Sequence, residues 1–275
     1  MKKILALVLA SLMLVCCFAG CGETKAPADD TAAPAGNNAA ETTADNTDVN
    51  TDEKDTLVMV TEGYFQPYEY YEGDKLVGID VEIANAIADK LGYELEIRDI
   101  DFGNIITEVM SGKADFGMAG MTVTEERLES INFSLSYASG VQSIIVTEGS
   151  PITSVDDLYA EGANYIVGVQ QATTGDIYST DDFGETNVKR FKNGNEAVLS
   201  LKNGDLDCVI IDDQPAKALV AANEGLVILE TAYADESYAI CVAKENTELL
   251  EKIDNAIIEL MADGTIETII AKYIK

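Results

Sequence analysis

The chain has 275 residues, a formal net charge of −31 and no histidine. So acidic a chain is a poor partner for nucleic acid, whose phosphates bind basic patches. The lack of histidine excludes Ser-His-Asp and Cys-His catalysis and removes the commonest metal ligand and general base, so no metal or cofactor is expected.

The N-terminus carries the pattern of an export signal. Two lysines precede an apolar run over 4–15, which is too short to span a membrane. The tripeptide AGC that ends at Cys21 resembles a bacterial lipobox, in which the cysteine is lipidated and becomes the mature N-terminus. We therefore predict a signal peptide over 1–20 and lipidation at Cys21; plain secretion with an incidental cysteine is the alternative.

A polar segment follows the signal. Residues 21–55 are rich in Ala, Thr, Asp and Asn and contain no aromatic residue. Such a segment cannot bury enough apolar surface to offset the entropy lost on ordering. We predict a disordered acidic tether that ends where the folded body begins, at residue 56.

In the body, apolar strand patterns alternate with helical patterns. The first set has strands at 57–61, 93–100, 114–119 and 142–148, and helices at 80–92, at 104–112 and around Arg127. After a break at Pro151, the second set has strands at 165–170, 208–212, 226–230 and 237–244, and helices from Thr174, at 194–204, at 215–223 and at 247–275.

This alternation predicts an α/β fold of open, mostly parallel sheets flanked by helices, with ligands at the carboxyl ends of the strands. The two sets predict two lobes, lobe I over 56–147 and 232–275 and lobe II over 148–231. Two crossings between the lobes would form a hinge, with a cleft between them. A single fused sheet is the alternative.

One arginine is the main candidate for anion binding. Ala119, Gly120 and Thr122 lie shortly before Arg127. Small residues let a ligand approach the backbone closely, and the planar fork of arginine matches a carboxylate at two points. The alternative is a surface arginine paired with a neighbouring glutamate.

The body as a whole resembles family 3 of the extracellular solute-binding proteins, the polar amino acid receptors of ABC importers. The resemblance runs from Leu57 to Lys275 and rests on the motifs GYFQPYEY, KLVGIDVEIANAIADKLG, SGKADFGMAGMTVTEER, VGVQQATTGD, CVIIDDQPA and ADGTIETIIAKY. It implies a two-lobed clamshell like that of the periplasmic binding proteins, with two hinge crossings. It further implies a monomeric receptor, tethered outside the cell membrane by its lipid, that delivers an amino acid to a permease and its ATPase.

The resemblance also assigns the carboxylate-binding residues. Arg127 would bind the ligand carboxylate, with help from Thr122 and the backbone of Gly120. Thr173 and Thr174 would take the same carboxylate from the opposite lobe. They precede a helix, where free N–H groups and the helix dipole favour an anion.

The ammonium acceptor and the aromatic contacts follow from the same resemblance. Asp212, at the end of the strand CVIID, would accept the ligand ammonium, and Asp213 would cap the next helix. A capping role for Asp212 itself is the alternative. Phe65 and Phe102 match the positions that sandwich the ligand side chain, and neither lies in a periodic apolar stripe.

Two polar residues match positions that contact the ligand side chain, Glu62 and Gln170. Arg127 and Asp212 balance the two main-chain charges of an amino acid, so Glu62 adds a negative charge that repels an acidic ligand. We therefore predict a basic or amide side chain on the ligand. The alternative is that Glu62 points to solvent.

Two other functions stay open from sequence. An enzyme of the same fold, of the dehydratase type, would use a cleft acid such as Glu62 for proton transfer. The absence of histidine and the intact zwitterion-binding set weigh against it. A sensory ligand-binding domain would bind a similar ligand in order to signal.

Overall fold

The computed structural model describes residues 55–230 and 232–274. The predicted signal peptide, Cys21 and the tether up to residue 54 lie outside the described residues. Within those two described ranges, no helix combines the length and the apolar character needed to cross a bilayer.

Short strands and helices alternate along the described body. The strands are β1 (Thr56–Thr61), β2 (Tyr64–Phe65), β3 (Glu69–Glu72), β4 (Lys75–Val77), β5 (Glu94–Asp99), β6 (Phe116–Gly117), β7 (Ile131–Phe133), β8 (Ala138–Thr147), β9 (Val167–Gln170), β10 (Val188–Phe191), β11 (Cys208–Asp212), β12 (Leu226–Ile228), β13 (Ala234–Tyr238) and β14 (Cys241–Ala243). The helices are α1 (Ile79–Leu91), α2 (Ile105–Met110), α3 (Glu125–Ser130), α4 (Thr174–Phe183), α5 (Gly194–Lys202), α6 (Asp213–Ala222), α7 (Thr247–Ala262) and α8 (Thr265–Tyr273).

The strands form two main sheets. The first has the order β5-β1-β6-β14-β7, and the second has the order β10-β9-β11-β8-β12, with β13 also paired to β8. In each sheet the strands joined by helices are parallel, as predicted. The others, β14 and β8 with their partners, are antiparallel, so the sheets are mixed. Parallel neighbours are usually joined by a helical crossover. β8 and β14 instead enter their sheets directly from the other sheet, so they can pair antiparallel.

The chain crosses between the sheets at positions that differ from the sequence assignment. β8 begins at 138, and β8 and β13 both pair in the second sheet, whereas the sequence placed 138–147 and 234–238 in lobe I. The run 237–244, read as one strand, is split between β13 and β14 in different sheets. An apolar run does not reveal whether a strand continues or changes sheets, because both sheets bury it.

The boundaries of two helices bear on the site. Helix α4 begins at Thr174, as predicted, with Thr173 as its N-cap. Helix α6 begins at Asp213 instead of 215, and Asp213 pairs with Lys217 one turn later instead of capping the helix. The sequence also missed β10 and the small β2-β3-β4 sheet, whose strands are too short to show a period.

Helix packing brings the carboxyl ends of several strands together. Helix α1 packs on β5, α7 and α8, while α4, α5 and α6 cover the second sheet. Ile79, Ile83 and Ile87 are spaced four residues apart and are fully buried, which fixes α1 on its sheet. Polar residues follow at the strand ends: Glu62 after β1, Gln170 at the end of β9 and Asp212 at the end of β11.

Candidate ligand-binding site

Side chains from both sheets surround one small cavity between the sheets. Its lining comprises Phe65, Phe102, Ala119, Gly120, Thr122, Arg127, Gln170, Thr173, Thr174 and Asp212. The structure therefore brings together every predicted ligand-binding residue except Glu62. The free space is about 10 Å³, the room that one water molecule needs. The two walls therefore lie close together in this structure.

The guanidinium of Arg127 lies in this cavity and bridges its two walls. The residue is 7% exposed. Nη1 donates to the Thr122 carbonyl at 2.7 Å, and Nη2 donates to the Ala172 carbonyl, on the far wall, at 3.0 Å. The Phe102 ring lies 5.4 Å from the guanidinium carbon, within the range of a cation–π contact. Burial lowers the pKa of Arg127, but a guanidinium stays protonated in proteins.

The N-terminus of α4 forms the opposite wall. Thr173 accepts a hydrogen bond from the Asp176 N–H at 3.3 Å and donates to the Gln170 carbonyl at 2.8 Å. Ala172 adopts a left-handed backbone, with φ of 65°, which few residues with a Cβ tolerate. Because Arg127 and the first residues of α4 line the same cavity, the guanidinium and the positive end of the helix dipole both favour an anion there.

Asp212 occupies the N-cap position of α6, yet its side chain makes no capping hydrogen bond. Instead, the Tyr238 hydroxyl donates to Oδ1, and Gln142 Nε2 donates to Oδ2 at 2.8 Å. The carboxyl is 6% exposed and lines the cavity. Burial, and next the nearby Glu236 carboxyl, raise the pKa of Asp212 to about 8.

Glu62 lies beside the cavity and not in solvent, since it is 4% exposed. The pKa of Glu62 is raised to about 7, chiefly by burial and also by the carboxylates of Asp99 and Asp101, while the facing Gln170 amide opposes the shift. Asp101 forms an ion pair at 2.9 Å with Lys192, which belongs to the other sheet's half of the molecule. Three carboxyl groups and one lysine therefore lie at this end of the site.

Comparison with known proteins identifies the family. The model of the bacterial extracellular solute-binding proteins, family 3, matches residues 57–275. The chain is 32% identical over 222 residues to the arginine-binding extracellular protein ArtP of Bacillus subtilis, covering 80% of this chain and 86% of that protein. The chain belongs to family 3 of the bacterial extracellular solute-binding proteins.

Solved structures of other solute-binding proteins share its two-lobed fold. An ancestral arginine-binding protein bound to glutamine aligns with a TM-score of 0.75 at 39% identity, over 80% of this chain and 98% of that one. The arginine-, lysine-, histidine-binding protein ArtJ of Geobacillus stearothermophilus aligns with a TM-score of 0.75 at 32% identity, over 80% and 95% of the two chains. Family 3 proteins are solute-binding receptors, so the predicted receptor is confirmed over the enzyme alternative.

In this family 3 protein, the backbone N–H of Gly120 already has a hydrogen-bond partner. Its N–H donates to Asp80 Oδ2 at 2.8 Å, so this N–H is not free to bind a ligand carboxylate. The same carboxyl oxygen accepts the Tyr137 hydroxyl at 2.8 Å. Gly120 has φ of 52°, and a Cβ there would lie 2.6 Å from the Phe65 ring, so the position requires glycine.

A second carboxyl, Glu69, lies against Asp80 and is fully buried. Both Glu69 oxygens and Oδ1 of Asp80 lack an N–H or O–H donor among the described residues. Burial raises the pKa of Glu69 well above its ordinary value and that of Asp80 to about 6. A proton held by Glu69 supplies the missing donor and avoids two adjacent buried charges.

This acid pair makes stability depend on pH. Because both folded-state pKa values are raised, the stabilising proton is fully present below pH 4 and is lost as pH rises through the folded pKa values. We expect the unfolding temperature to fall between pH 5 and pH 8, and to fall less in Glu69→Gln, whose amide mimics the protonated acid. Thermal unfolding followed by circular dichroism measures how the unfolding temperature changes with pH in the parent protein and in Glu69→Gln. The same change with pH in both proteins would contradict a proton shared by Glu69 and Asp80.

Two buried residues beside Asp212 escaped the sequence analysis, Gln142 and Glu236, and neither of them lines the cavity. Gln142 is fully buried on β8, and Glu236 is 6% exposed on β13. They lie beside Asp212 because β8 pairs with both β11 and β13. A charged residue in an alternating strand usually faces solvent, so the pattern alone gave no signal for Glu236.

Proposed function

We propose that this receptor captures a free polar amino acid with a basic or amide side chain in the cleft between its lobes and delivers it to the permease of an ABC importer. Arg127 binds the carboxylate together with Thr122, Thr173 and Thr174, and Asp212 accepts the ammonium. The observation that carries this proposal is that opposite charges, on Arg127 and Asp212, line one small cavity from opposite walls.

The side-chain preference follows from the acidic end of the cavity. Glu62 sits beside Gln170, close to two further carboxylates, so a cationic group there relieves their mutual repulsion. An amide side chain meets the Gln170 amide without a charge conflict. Arginine, lysine, histidine and glutamine, each named for one or more relatives, belong to these two chemical classes, whereas cystine, named for another relative, does not.

Ligand binding closes the lobes in this mechanism. The contacts that a ligand makes on both walls exist together only in the closed form, so binding shifts the balance towards closure. We further propose that Cys21 carries a lipid, which anchors a monomeric receptor at the outer face of the cell membrane within reach of its permease.

The function is tested with a thermal-shift panel of the twenty amino acids, followed by calorimetry on those that stabilise. A ligand that binds the folded state stabilises it by mass action, by about 2.7 kcal/mol at a ligand concentration of one hundred times Kd, and so raises the unfolding temperature. We expect stabilisation by basic or amide amino acids and none by glutamate or aspartate. A shift with glutamate and with none of the basic or amide ligands would refute the assignment.

Glu62→Gln tests the side-chain preference separately. Removing the carboxylate should lower arginine affinity roughly 10- to 100-fold, because the cation loses a buried partner, and should change glutamine affinity less than about threefold. Glu72→Gln, which alters an exposed acid on β3, is the matched control. An equal loss of affinity for arginine and for glutamine would mean that Glu62 shapes the site without distinguishing the two side chains.

A further inference from the structure

Glu236 and Asp212 face each other across one amide nitrogen. Gln142 Nε2 donates to Asp212 Oδ2 at 2.8 Å, to Glu236 Oε2 at 3.0 Å and to Thr174 Oγ1 at 3.4 Å. Two carboxyl groups are thus held within reach of the same donor, inside the protein. A neutral amide has two hydrogens for these three acceptors, and it supplies no charge.

The strand register and a glycine position these groups. Glu236 pairs with Gly140 and Asp212 with Gln142 in the strand register, so β8 places the amide between the two acids. A Cβ on Gly140 would lie 2.1 Å from the Tyr238 hydroxyl, so this glycine makes room for the tyrosine that binds Asp212. Oε1 of Glu236 has no hydrogen-bond partner in the described part of the chain.

The charged groups around Asp212 and Glu236 decide whether both acids can be ionised. The ionisable groups that face it from the surrounding elements are Arg127 on α3, Tyr178 on α4, Tyr238 on β13, and Tyr68 and Glu69 near β3. Arg127 is the cation among these five groups. Without a ligand, the single charge of Arg127 does not balance two buried carboxylates, and like charges so close do not both stay ionised.

We propose that Glu236 belongs to the ammonium site, as the second acid of a pair with Asp212 that shares one proton and releases it to solvent when an ammonium group binds. The ammonium replaces the shared proton as the positive charge between the carboxyls, and its three N–H groups match the three acceptors that Gln142 now serves. The inference rests on the proposed function. It adds that amino acid capture is coupled to proton release and strengthens as pH rises.

Energetics agree with this geometry. Burial, and next the Glu236 carboxyl, raise the pKa of Asp212 to about 8, so the pair holds its proton at neutral pH. Below that value, binding must first expel the proton, and affinity changes by at most about tenfold per pH unit. Glu62 also titrates near pH 7, so the test uses glutamine, whose neutral side chain carries no cation to Glu62.

The experiment is calorimetric titration with glutamine at pH 6.5 in two buffers of different ionisation enthalpy, which counts the protons released. The full-length protein should release close to one proton per ligand, and its affinity should rise roughly 25-fold between pH 6 and 7.5. Glu236→Gln should release clearly less, with a flatter pH profile, and Glu236→Asp should restore most of the release. Asp235→Asn, an exposed neighbour on β13, is the matched control and should behave as the parent does.

The outcomes distinguish a failure of the role of Glu236 from a failure of the receptor function. Equal proton release and equal pH profiles in the parent protein and Glu236→Gln, with normal glutamine binding, would overturn the role of Glu236 and leave the receptor function standing. Should glutamine fail to bind, arginine replaces it, with both proteins carrying Glu62→Gln. Binding of no amino acid at all by a folded protein would overturn both.

Discussion

Replacing Arg127 with alanine is expected to abolish amino acid binding while leaving the fold intact. The guanidinium is buried and is the charge that a ligand carboxylate meets, so its loss leaves that carboxylate buried without a partner. Such a truncation costs about 3 kcal/mol or more, which corresponds to a loss of roughly 100-fold or greater in affinity. Calorimetry with the best ligand of the thermal-shift panel measures it.

Two further variants make this result specific. Arg127→Lys keeps the charge but loses the planar fork, and should bind with intermediate affinity. Arg98→Ala removes an exposed arginine that pairs with Glu96 on β5, and should change affinity less than about twofold. Unchanged affinity in Arg127→Ala, with an unfolding temperature close to that of the parent, would remove the carboxylate assignment and with it the binding mode.

Replacing Asp80 with alanine is expected to have the largest effect on stability. The carboxyl accepts the buried Gly120 N–H and the Tyr137 hydroxyl, each at 2.8 Å. Leaving two buried donors unpaired costs about 3 kcal/mol, and for a body of this size the unfolding temperature should fall by roughly 10 °C. Ligand affinity should fall as well, because Asp80 holds the loop that carries Gly120 against the cavity.

Asp89→Ala is the matched control for this change. Asp89 lies on the same helix, α1, but it is exposed, and its removal should alter stability by less than about 0.5 kcal/mol. Thermal unfolding without ligand compares the three proteins. If Asp80→Ala melted within a degree or two of the parent, the buried carboxyl would not be the support of the loop.

The positions of the cavity residues were accessible from sequence because they lie at predictable points of an α/β unit. Gln170 and Asp212 end buried strands, and Thr173 precedes the helix whose start at Thr174 was predicted correctly. Ligand groups gather at the carboxyl ends of strands, and helix N-termini favour anions, so local pattern and family motif agree. The role of Asp212 was not decided by its position, because an aspartate that caps a helix and an aspartate that binds a ligand occupy the same place between a strand and a helix.

By itself, the sequence determined the family, the alternation of strands and helices, and the two opposite charges that a zwitterion needs. The tertiary structure decided where the chain changes sheets, and hence that β8 lies between β11 and β13. That pairing sets Glu236 beside Asp212, and packing of α1 sets Asp80 behind Gly120. Both contacts join residues more than twenty positions apart. Local periodicity reports which face of an element is buried, but it contains no information about which distant element covers that face.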